Sequence, residues 1–313
     1  MKSVKIGIIQ ESPIYLDVEK SMQKAIRLIE DAVEQGAKLI VFGETWLSGY
    51  PVWLDHCPNM ALWDQASTKE VFTQMHLNSI EVPGKETEIF GALAKQYGVV
   101  IVIGVNEIVR KKGHALGTIY NALLTFDEQG NLANHHRKLM PTFTEKLVHG
   151  LGDGAGLKAV ETSFGRVGGL ICWEHWMPLT RQTMHNEGET IHIAVWPNVH
   201  ELLQIASRSY AFEGRCFVIA VGQITRVKDL PKILDLPEYL KDKPDEMLLW
   251  GGSCVIGPDG HYILEPQCHK EGIFIVEVDD LDKVYGERMA LDVTGHYNRL
   301  DVFNLEVNRE RKV

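Results

Sequence analysis

The sequence predicts an α/β protein: two mixed sheets with helices outside, in a single domain over residues 1–313. Three observations carry this prediction. Residues 4–42 read as a β-α-β unit, helical stripes and apolar runs keep alternating along the chain, and hairpin signals are interleaved among them. In the opening unit, residues 4–10 alternate as a strand. Residues 18–33 carry Val18, Met22, Ala25, Ile26, Ile29, Ala32 and Val33, one stripe at helical spacing that Gly36 closes. Residues 39–42 form a continuous apolar strand, and Glu44 emerges at its carboxyl end, the rim where open α/β sheets bind ligands.

Residues 45–75 are polar and aromatic, with Trp46, Tyr50, Pro51, Trp53 and Trp63, and suit a pocket mouth or plain surface packing equally. Residues 86–97 read as a helix, 99–107 as a buried strand and 119–126 as another strand that enters a turn at 127–130. Residues 131–138 return antiparallel and deliver Lys138. Glycines 150, 152, 154 and 156 match neither a phosphate loop nor a dinucleotide fingerprint, so they predict a shaped turn. Strands follow at 167–172, 191–196 and 216–221, with helices at 178–187 and 201–214. Residues 225–246 are charged and proline-bearing, a surface excursion. The strands 252–256 and 262–265 flank the turn Pro258-Asp259-Gly260, and 272–278 adds a last strand.

Composition narrows the function classes. At 45% apolar content, 313 residues can bury a sizeable core. Lys plus Arg number 32 against 42 Asp plus Glu, a net charge of −10, which leaves no broad basic surface for a phosphate backbone. No nucleic-acid partner is expected. The first residues pass straight into a strand, and no apolar run reaches the roughly 18–20 residues that span a bilayer. We therefore expect a cytoplasmic protein without a membrane partner. Five cysteines, an odd number with no Cys-x-x-Cys, suit a reducing compartment. Among thirteen histidines there is no His-Glu-x-x-His, and His135 and His136, adjacent on a strand, point to opposite faces, so no metal is expected. A serine hydrolase is disfavoured by the lack of Gly-x-Ser-x-Gly.

Cys172 ends the glycine-marked apolar run 167–172 and is followed by Trp173, Glu174 and His175. A thiol where a buried strand turns into a helix meets the positive helix end and free N–H groups, which lower its pKa. The alternative is a small buried hydrophobe, the usual fate of a free cysteine.

Glu44, Lys138 and Cys172, in that order, resemble the Glu-Lys-Cys triad of the nitrilase, or carbon-nitrogen hydrolase, superfamily. The resemblance also takes in residues 4–10, Pro141-Thr142 with Glu145, the run 149–156 and Gly295-His296-Tyr297, nearly the whole chain. It implies a four-layer α-β-β-α sandwich and, with no metal or organic cofactor, hydrolysis of a small organic nitrile to a carboxylic acid and ammonia through a thioimidate and an acyl thioester. Cys172 would be the nucleophile. Glu44 would take and return its proton, Lys138 and the Trp173 N–H would meet the developing negative charge, and Glu145 would be the second carboxylate. Trp173, His175, Trp196 and Pro197 are the candidate substrate-binding residues, His175 fitting pocket wall or packing alike.

Cys172-Trp173-Glu174 looks like the nitrilase branch, where amidase and carbamoylase branches more often have tyrosine and aspartate after the cysteine. Those amide hydrolases share the triad and remain the alternative, with a non-catalytic binding protein of the same fold as a third. Leu300 stands where the branch usually has proline, and the chain stops soon afterwards. Homodimers or higher homo-oligomers are therefore expected, with extended spirals in doubt.

Overall fold

The computed structural model describes residues 2–312. In chain order, the first half contains β1 (Val4–Gln10), α1 (Val18–Glu34), β2 (Leu39–Phe42), α2 (Trp53–His56), α3 (Ala66–Leu77), β3 (Ile80–Glu81), α4 (Lys85–Tyr97), β4 (Val100–Lys111), β5 (His114–Phe126) and β6 (Leu132–Arg137). The second half contains β7 (Val160–Thr162), β8 (Gly165–Ile171), α5 (Pro178–Asn186), β9 (Ile191–Val195), α6 (Glu201–Gly214), β10 (Phe217–Val221) and β11 (Ile224–Arg226). It closes with α7 (Glu238–Lys241), β12 (Met247–Ile256), β13 (Tyr262–Cys268), β14 (Gly272–Val278) and α8 (Lys283–Arg288).

These strands build two seven-stranded mixed sheets. The first runs β14-β1-β2-β4-β5-β6, with β3 on β4. The second runs β11-β12-β10-β9-β8-β7, with β13 on β12. In the first, β1, β2 and β4 are parallel neighbours; in the second, β8, β9 and β10 are. The parallel strands read as unbroken apolar runs because both of their faces are covered.

Alternation assigns each face. Val4, Ile6, Ile8, Leu39, Val41, Val100 and Val102 join the core cluster shared with the second sheet, together with Met184 of α5 and Leu203, Ala206 and Tyr210 of α6. The intervening residues Ile9, Ile40, Phe42, Ile101 and Ile103 pack instead with Ala25, Ile29 and Ala32 of α1 and Phe90 and Ala94 of α4. A one-residue slip in any of these strands would exchange the two sets. The layers are thus α1 and α4, first sheet, second sheet, α5 and α6, the four-layer sandwich the resemblance implied.

Two segments differ from their expectation. Residues 45–75 and 225–246 hold helices α2, α3 and α7 and bury Trp53, Met60, Val71, Leu230, Leu234 and Leu240 in a third cluster, so they pack on each other rather than merely over the surface. The strands around residue 113 are also longer than their apolar runs. Lys112 and Gly113, at φ 51° and 82°, make a tight hairpin turn between β4 and β5. Its exposed polar ends carry no hydrophobic alternation for a sequence reading to detect.

Candidate active site

Glu44 lies two residues beyond β2 and Lys138 directly after β6, both on the first sheet, whereas Cys172 directly follows β8 of the second. The residues therefore meet at the seam between the sheets. Close backbone approach sets the Glu44 corner: a Cβ on Gly104 of β4 would lie 2.3 Å from the Gly43 carbonyl oxygen and 2.4 Å from the Thr45 nitrogen. The Lys138 corner is held by its N–H, which donates to the Asn121 carbonyl at 2.8 Å, and by its carbonyl, which accepts from Gly152 at 2.9 Å. The predicted glycine turn thus closes against the lysine.

Lys138 Nζ donates to Glu44 Oε1 at 2.7 Å and to both oxygens of Glu145 at 2.9 and 2.7 Å. Asn121 Nδ2 donates to the same Glu44 oxygen at 2.7 Å, and Glu44 Oε2 has no hydrogen-bond partner. Glu145 further accepts from the Tyr50 hydroxyl at 2.9 Å and the Thr142 N–H at 3.1 Å. Donor atoms of Glu44, Glu145 and Cys172 lie within 4.8 Å of one another, the one such cluster among the described residues. A cation bound by these three would have to displace the Lys138 ammonium that already bridges the carboxylates. Relative exposure is 0% for Glu44, 1% for Lys138 and Glu145 and 4% for Cys172, so these charges act through little solvent.

Burial and the neighbouring Glu145 raise the Glu44 pKa to about 7, against the pull of Lys138 and Asn121. Burial opposes the Lys138 charge, yet the anionic forms of Cys172, Glu44 and Glu145 outweigh it and hold the ammonium above its usual pKa. Glu145 is also disfavoured by burial, but Lys138 and His149 keep it below the usual carboxylate range. The constellation is thus a fixed cation, a fixed anion and a carboxylate poised to exchange a proton near neutrality.

The Cys172 thiol departs from expectation. No α-helix begins there: residues Cys172–Trp176 form a single 3₁₀ turn, and α5 starts only at Pro178. Burial and the flanking carboxylates push the thiol pKa well up, with Lys138 and the Trp173 N–H pulling the other way. A thiol in this setting favours its protonated form and would need a base to act as a nucleophile. Cys172 also sits at φ 55°, a left-handed conformation that costs on the order of 1–3 kcal/mol outside glycine.

Sequence reasoning missed two residues that organise the site. Asn121 positions Glu44. Glu174, noticed only as a branch marker, accepts from the Ile171 N–H at 2.7 Å, the Leu139 N–H at 2.8 Å and His136 Nε2 at 2.9 Å. One buried carboxylate thereby staples the backbone just before Cys172 to the backbone just after Lys138, across the two sheets. An acid two residues past a strand-end cysteine was the available signal. His135 and His136 do face opposite ways, His135 joining Arg137 on Glu107.

Of the candidate binding residues, Trp173 is 54% exposed and lines a cavity of about 680 Å³ with Met140, Pro141, Phe143, Trp176 and Met177. His175 falls on the packing side of its two readings. Both its nitrogens are engaged, by the Cys172 carbonyl and His192, and one ring face stacks on Trp196 at 4.7 Å. Trp196 is fully buried, and the half-buried Pro197 offers its carbonyl to the Gln223 N–H.

Fold and site together define a class: an α-β-β-α sandwich with a Glu-Lys-Cys cluster at the seam of its sheets. The family model for carbon-nitrogen hydrolases matches residues 5–284, and the chain belongs to that family. It is 35% identical to an aliphatic nitrilase from Sinorhizobium fredii, covering 100% of this chain and 98% of that protein. It is 34% identical to a bifunctional nitrilase/nitrile hydratase from Nicotiana tabacum, covering 97% and 86%. A carbon-nitrogen hydrolase structure from Helicobacter pylori G27 aligns with a TM-score of 0.72 at 21% identity, covering 96% of each chain.

Proposed function

We infer that the chain is a nitrilase, an enzyme that hydrolyses organic nitriles to carboxylic acids and ammonia. The observation that carries this reading is the Lys138 ammonium bound to Glu44 and Glu145 beside the Cys172 thiol, in a chain whose full-length relatives are named nitrilases.

In this reading the unpartnered oxygen of Glu44 takes the thiol proton as sulfur bonds to the nitrile carbon. Negative charge grows on nitrogen, faces Lys138 and the Trp173 N–H, and is quenched by the proton returned from Glu44, leaving a thioimidate. Water then adds to that carbon, giving up a proton to Glu44. Glu44 passes that proton to nitrogen, giving a tetrahedral intermediate with a hydroxyl and an amine. As the C–N bond breaks, the hydroxyl gives its own proton, again through Glu44, to the departing amine, so nitrogen leaves as ammonia and an acyl thioester remains. A second water releases the acid and restores the thiol. Glu145 keeps Lys138 cationic and fixed throughout.

Leu179, Leu202, Ile205 and Phe212, exposed on α5 and α6, support self-association into a homodimer or larger homo-oligomer. No helix among the described residues is long and apolar enough to cross a membrane; we place the protein in the cytoplasm as one catalytic domain.

The test is product analysis. Aliphatic, aromatic and arylacetonitrile substrates and their matching amides are incubated with wild type and Cys172→Ala. Acid and ammonia from nitriles with wild type alone is the expected result, and ammonia from the amides only would replace this reading with an amidase.

A further inference from the structure

Behind Cys172, and outside the chemistry above, a line of buried polar side chains runs into the core. His175 Nδ1 lies 2.7 Å from the Cys172 carbonyl oxygen, and His175 Nε2 lies 3.0 Å from His192 Nε2. His192 Nδ1 lies 3.0 Å from both oxygens of Glu189, and the Tyr210 hydroxyl donates to Glu189 Oε2 at 2.8 Å. None of the four is more than 2% exposed. Such a line is costly unless every member is satisfied.

Hydrogen-bonding capacity fixes the direction of each bond. A carbonyl can only accept, so His175 Nδ1 carries the proton. In a neutral imidazole its Nε2 is then an acceptor, so His192 Nε2 must donate. His192 Nδ1 is left with a lone pair, and the group facing it, Glu189, must supply a proton from its carboxyl. Burial acts the same way, lowering His175 and His192 to about 3 and holding Glu189 well above the carboxylate range. The carboxyl is seated by Gly168 of β8, where a Cβ would lie 1.7 Å from Glu189 Oε1.

We propose that Glu189, His192 and His175 form a directed relay that polarises the Cys172–Trp173 peptide and so sets the donor strength of the Trp173 N–H at the reacting centre. Donation to a peptide's carbonyl strengthens its own N–H as a donor, because hydrogen bonds in series polarise one another. That N–H belongs to the residue next to Cys172 and is one of the groups that pull the thiol pKa down against burial. The His175 bond also holds the carbonyl of the left-handed Cys172 residue in place. The relay residues are positioning residues, acting through the peptide without touching substrate, and the inference rests on Cys172 as the nucleophile.

Direction, not charge, is the testable content. Glu189→Gln can turn its amide N–H toward His192 Nδ1 and its oxygen toward Tyr210, preserving every bond; Glu189→Met cannot. His175→Asn can place an N–H at the Nδ1 position but leaves the His192 Nε2–H without its acceptor, so it keeps the last bond and cuts the line behind it, whereas His175→Phe loses both. The experiment measures kcat and KM for a hydrolysed nitrile, and in parallel the rate of Cys172 alkylation by iodoacetamide, followed by mass spectrometry. Expected are tenfold or greater losses of kcat in His175→Phe and Glu189→Met, with KM within twofold. Glu189→Gln stays within threefold of wild type, His175→Asn falls between it and His175→Phe, and alkylation rates follow the same order.

Equal loss or equal retention in Glu189→Gln and Glu189→Met overturns the relay. Should either apolar variant fail to fold, the polar pair decides. Wild-type-like alkylation in Glu189→Gln with slower alkylation in His175→Asn supports it, and equal rates in the two or tenfold slower alkylation in Glu189→Gln sinks it. Because alkylation needs no substrate, a wild type that hydrolyses no nitrile would remove the functional reading and leave the relay testable.

Discussion

Lys138 Nζ holds one oxygen of Glu44 at 2.7 Å while the other oxygen of that carboxylate has no partner. The anchored oxygen orients the group, and the free one is available for the thiol proton. The Glu44 pKa, raised to about 7 by burial and by Glu145, fixes the sign of a pH effect. A base must be ionised, so activity is present above that value and lost as pH falls through it. We expect kcat/KM to drop about tenfold per pH unit below about pH 7, measured on protein whose circular dichroism is unchanged. A flat profile from pH 5 to 8 would remove Glu44 from the proton-transfer role.

Lys138→Met should be destabilising as well as inactive. It leaves Glu44 and Glu145 buried without their shared cation, and losing one partner of a buried ion pair costs about 3–5 kcal/mol. Urea denaturation measures this directly; a loss under about 1 kcal/mol would mean that the carboxylates take up protons or water at little cost.

Glu174→Gln keeps the shape of the staple but turns an N–H2 toward groups that all donate. At least one of the Ile171, Leu139 and His136 donors is left unmet, a cost of about 1–3 kcal/mol. Because the strand ends carrying Lys138 and Cys172 then separate, kcat should fall at least tenfold with KM nearly unchanged. A variant with lowered melting temperature and full kcat would leave Glu174 a role in stability alone.

Gly104→Ala drives a methyl group into the backbone at Gly43 and Thr45, beside Glu44. Overpacking of this kind costs about 1–3 kcal/mol. Activity should fall by more than the stability loss predicts, since the displaced segment carries Glu44. Thermal unfolding together with kcat at 15 °C separates the two effects.

Much of the architecture was legible because burial leaves a periodic trace. Val4, Ile6 and Ile8 face one layer and Ile9 another, and the stripe of α1 matches the face it buries. The β4–β5 hairpin extension and α3 escaped notice because their residues are largely exposed and carry little pattern. The satellite core of Trp53, Leu230 and Leu240 was hidden for another reason: its members come from segments far apart along the chain, joined by Tyr15, Ile108 and Ile119, so no single segment carries its pattern.

By itself the sequence determined which residue types end which strands: a carboxylate after β2, an amine after β6 and a thiol after β8. Local periodicity and turn chemistry are properties of neighbouring residues, so they can be read without coordinates. Only the tertiary structure decided that these ends share one seam, that Glu174 bridges them, and that the Cys172 pKa rises instead of falling. Desolvation and through-space charge depend on groups far apart along the chain, and no local pattern records their distances.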